Sequence, residues 1–94
     1  MGKDEAIEAF KQDVDWLGSF IKVWDVQDII VVQYFSEHFM KFMYTPAILL
    51  EDGSPRRIGE SYDSLERAIV GAMAVKYNSR GADRFIMKMF GKDY

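Results

Sequence analysis

The chain has no cysteine, only two prolines and a single histidine in 94 residues. Without cysteine, disulfides, thiolate nucleophiles and cysteine-ligated metal sites are excluded. Small secreted domains generally lean on disulfides, so this absence points to a reducing, cytoplasmic setting. No apolar run reaches bilayer length: the uncharged apolar run over residues 43–50 contains Pro46 and is far too short. The first residues carry Lys3, Asp4 and Glu5 and lack the apolar centre of a secretion signal. Ala6 stands where N-myristoylation prefers serine or threonine.

Other absences bear on chemistry. Gly53, Gly59, Gly71, Gly81 and Gly91 are isolated from one another, so neither a phosphate-cradling loop nor a dinucleotide fingerprint is present. Glu51-Asp52-Gly53 lacks the alternating oxygen ligands of a calcium loop. His38, if helical, has Tyr34, Phe35, Lys41 and Phe42 three and four residues away. No acid there can orient it as a general base. The expectation is a non-enzymatic protein with no catalytic residues, cofactor or metal.

What is present is apolar. Hydrophobic residues make up 49% of the chain and aromatic residues 15%, generous for a single compact domain spanning residues 1–94. The surplus beyond one core suggests a partner or self-association. Net charge is −3. Residues 1–50 hold eight acids against four lysines, and residues 51–94 eight bases against seven acids.

Apolar spacing predicts the elements. Ile7, Phe10, Val14, Leu17, Ile21 and Trp24 recur at intervals of three and four, predicting a helix over residues 3–24 with Asp4, Glu5 and Glu8 favouring its N-terminal dipole. Trp16, Phe20 and Val23 add a second stripe about 120° around that helix. Asp25 can cap a second helix whose stripe is Ile29, Val32, Phe35, Phe39 and Phe42. Its run Ile29-Ile30-Val31-Val32 pulls toward strand, but the stripe's length through Met43 favours helix. Pro46 ends it. A hairpin is then predicted, with arms from Ala47 and from Pro55 and a turn at Asp52-Gly53, the second arm at a sheet edge. Ser61 can cap a third helix over 62–77, with Leu65, Ala68, Ile69, Ala72, Met73 and Val75 facing inward. Residues 82–90 fit a short helix or a strand equally well. The predicted fold is α+β: two N-terminal antiparallel helices, a β-hairpin, a third helix and a short C-terminal helix or strand.

This pattern suggests a small protein-binding module that acts by occlusion, as an accessory or inhibitor protein of a virus or mobile element would. Trp16, Phe20 and Val23 are the apolar anchors expected to meet the partner. Asp4, Glu8 and Asp15 supply an acidic face that suits a basic, nucleic-acid-handling protein. A homodimer could form by helix one pairing with its symmetry mate through the aromatic stripe. The alternative is direct nucleic-acid binding through Arg56, Arg57, Arg80, Arg84 and Lys88. Lys76, Arg80, Arg84, Lys88 and Lys92 recur every four residues, but Gly81 and Asp83 interrupt them and the whole chain is acidic.

Overall fold

The first helix is much shorter than its apolar stripe suggests. In the computed structural model, which describes residues 2–58 and 60–76, α1 spans Lys3–Asp13 and is followed by a single 3₁₀ turn, Asp15–Leu17. Asp4 and Glu5 lie in its first turn and Lys11 in its last, each matching the dipole. Ala6, Phe10 and Val14, one turn apart, form its buried face. Gly18 then redirects the chain with φ +153°, and a Cβ there would collide with the carbonyl oxygen of Phe35.

Beyond Gly18 the chain is extended. β1 (Ser19–Val26), β2 (Ile29–Ser36), β3 (Lys41–Leu49) and β4 (Pro55–Arg57) form an antiparallel sheet in the order β1-β2-β3-β4. After it comes α2, Leu65–Lys76. The predicted pair of N-terminal antiparallel helices, and with it the count of three helices, is therefore corrected. There are two helices among the described residues, with the sheet between them in sequence. Two of the sequence-derived features coincide with observed elements: the helix around 65–76, and the turn at Asp52-Gly53 leading into an edge strand at Pro55. The predicted element at 82–90 lies outside the described residues.

β2 explains the error. In β2 the run Ile29-Ile30-Val31-Val32 has no exposed surface at all, because the sheet is covered on both sides. Ile30 and Val32, with Ala47, pack against Ala6, Phe10 and Val14 of α1 and the residue just after it. Ile29 and Val31, with Ile48, pack against Ala68, Ala72 and Met73 of α2. Adjacent strand residues point to opposite faces, so the two helices sandwich the sheet in three layers. A strand buried on both sides reads as continuous apolar sequence rather than as an alternation. The β-branched signal outweighed the apparent helical stripe.

Pro46 sits within β3 rather than ending an element. Its carbonyl accepts the Ile58 N–H at 3.4 Å on the β4 side, where β4 has already run out, so its missing N–H interrupts no strand pairing there. Further along the same edge, Tyr44 and Tyr62 exchange backbone hydrogen bonds of 2.8 and 2.7 Å. The β1–β2 turn is a tight one with Gln27 at φ 49° and Asp28 at φ 64°. It is gripped from both sides. Lys3 at the start of α1 bridges Asp25 at 3.0 Å, which raises the Lys3 pKa, and Lys76 at the end of α2 donates to the Gln27 carbonyl at 3.0 Å. The α2 cap is Ser64, whose Oγ accepts the Arg67 N–H at 3.1 Å. Ser61, the predicted cap, instead accepts the Tyr34 hydroxyl at 2.8 Å. Tyr62 lies directly over Gly71 of α2, in the notch that its missing side chain leaves.

Candidate functional site

The predicted anchors separate. Phe20 and Val23 are half-buried and pack on the α1-side core. They share that face because β1 bulges between them: pairing with β2 runs Phe20↔Tyr34 and then Lys22↔Gln33, skipping Ile21. The stripe that suggested a helix is a strand face with one residue inserted. Phe20 and Val23 thus leave only part of their surface open to a partner.

Trp16 remains outside. It lies on the 3₁₀ turn, 68% exposed, with its indole N–H donating to the Asp13 carbonyl at 3.2 Å. The Arg57 guanidinium carbon sits 5.3 Å from the ring centroid, a cation–π contact. Trp16 forms one wall of a cleft of ≈ 500 Å³ at the end of the sheet. Asp15 and Ser19 lie beside it, Phe35 belongs to β2, and Glu37 and His38 come from the β2–β3 loop.

That loop, Glu37-His38-Phe39-Met40, projects beyond the sheet. The Ser36 hydroxyl accepts the Phe39 N–H at 3.2 Å, and Met40 takes the left-handed conformation, φ 53°, that returns the chain into β3. His38 packs edge-on to Phe39 at 4.7 Å, and Phe35 meets Phe42 edge-on at 5.5 Å. Phe39 is 56% exposed, Met40 73% and Phe42 48%, and the bulged Ile21 is 56% exposed. With Trp16, these make five of the large exposed apolar side chains of the described residues, gathered where β1 begins and the β2–β3 loop turns. Sequence reasoning passed over Phe39 and Met40 because they continue a helical spacing. The available signal was the run 29–32: once that is a strand, residues 37–40 fall at its far end as a loop.

The charged candidates divide as well. Asp4, Glu8 and Asp15 are exposed. Asp15 lines the cleft, whereas Asp4 and Glu8 lie on α1, where Glu8 pairs with Lys11 at 3.5 Å. Arg56 and Arg57 are neighbours on β4 and so point to opposite faces. Arg57 reaches over Trp16, and both arginines border a recess of ≈ 160 Å³ with Ile58 and Val75. Arg80, Arg84 and Lys88 lie outside the described residues.

A third recess, ≈ 460 Å³, lies beside the β1–β2 turn between Lys3, Asp28, Leu50 and Lys76. Among the described residues, no group of three or more histidines or acids is placed to hold a metal. No helix among them is long and apolar enough to cross a membrane. No protein family, curated protein or solved structure matches the chain.

Proposed function

We propose that this protein is a non-enzymatic protein-binding module and that the apolar end of its sheet is the docking surface. The observation that carries the reading is the exposure of Trp16, Phe39, Met40 and Phe42 toward one end of the sheet, with both helices committed to covering the sheet elsewhere. Tryptophan and phenylalanine dominate interface energetics, so large aromatic side chains left this exposed support a binding role. Action by occlusion or scaffolding follows from a surface that offers contact area and no reactive constellation.

The test is capture with three tagged baits in the source cells: wild type, Trp16→Ala, and the double variant Phe39→Glu, Met40→Glu. All three positions are exposed, so circular dichroism should show the same fold. A protein retained by wild type and lost from both variants is the expected outcome. Identical recovery by all three baits would remove this surface from the reading. Duplex or single-stranded probes in dilute buffer, followed through a salt series, address the nucleic-acid alternative: binding that falls steeply with salt favours it.

A further inference from the structure

We draw no further inference here: the strongest candidate, the surface patch of exposed apolar side chains Trp16, Phe39, Met40 and Phe42 toward the end of the sheet where the β2–β3 loop turns, belongs to the site already described, and nothing in the structure shows what covers it.

Discussion

The guanidinium of Arg57 covers the indole of Trp16, with 5.3 Å between the guanidinium carbon and the ring centroid. The contact ties the short edge strand β4 to the turn after α1, on the α1 side of the sheet. Cation–π contacts at exposed sites contribute about 0.5–1 kcal/mol. Arg57→Ala is expected to lower stability to urea by that amount and to raise acrylamide quenching of Trp16 fluorescence, read in a Trp24→Phe background. Unchanged quenching would show that the guanidinium does not shield the ring.

Thr45 is wholly buried on the α1 side, and its hydroxyl has no hydrogen-bond partner among the described residues. A buried donor left unsatisfied carries its desolvation cost without return. Thr45→Val keeps the shape and removes the hydroxyl. It is expected to stabilise the fold by about 1 kcal/mol, seen as a higher urea midpoint with an unchanged slope. A loss of stability would show that the hydroxyl has a partner, such as a buried water.

The β1–β2 turn places Gln27 and Asp28 at positive φ, a conformation that suits asparagine and glycine in two-residue hairpins. Left-handed backbone costs roughly 1–2 kcal/mol for an ordinary residue. Gln27→Asn with Asp28→Gly is expected to raise stability by about 1 kcal/mol, after allowing for the entropy of the unfolded glycine. The Lys76–Asp28 pair, 4.0 Å apart with Asp28 exposed, is lost in the exchange, but such pairs contribute little. Thermal unfolding monitored by circular dichroism measures the difference.

Tyr62 titrates above its ordinary range because burial disfavours the phenolate, and Glu60 adds to the effect. The folded state therefore holds the phenolic proton more tightly than the unfolded chain does. The contribution is fully present below the unfolded value, about 10, and is lost as pH rises through the higher folded value. Lys3, raised by its hydrogen bond and charge contact with Asp25, acts in the same alkaline direction. Stability should fall as pH climbs past about 10, and Tyr62→Phe should flatten part of that fall. An identical alkaline profile in Tyr62→Phe would rule out this tyrosine as a source.

How much of this could be read from residues alone is set by two local accidents. Strand neighbours on one face are normally two apart, but the bulge at Ile21 puts Phe20 and Val23 three apart on one face, which is a helical interval. The double covering of β2 erases the alternation that marks a strand. Composition had registered the second of these, as β-branched residues at 29–32, but periodicity overrode it. α2 was legible because its neighbours leave one side wet, so Ala68, Ala72 and Met73 stand out at helical spacing. Trp16 was singled out on wrong grounds: it is exposed because the helix ends before it. Phe39 and Met40 were not legible, since no glycine, proline or asparagine marks their loop.

β2 gives its odd-numbered apolar residues to one core and its even-numbered ones to the other. Neither helix can detach without uncovering one side of a ribbon whose other side is still engaged, so damage to one layer is felt by the whole molecule. The two halves should melt at one temperature and release their slowest-exchanging amide protons together, from the same eight residues of β2. The middle strand thus joins two small cores, each too meagre to persist alone, into a single cooperative unit.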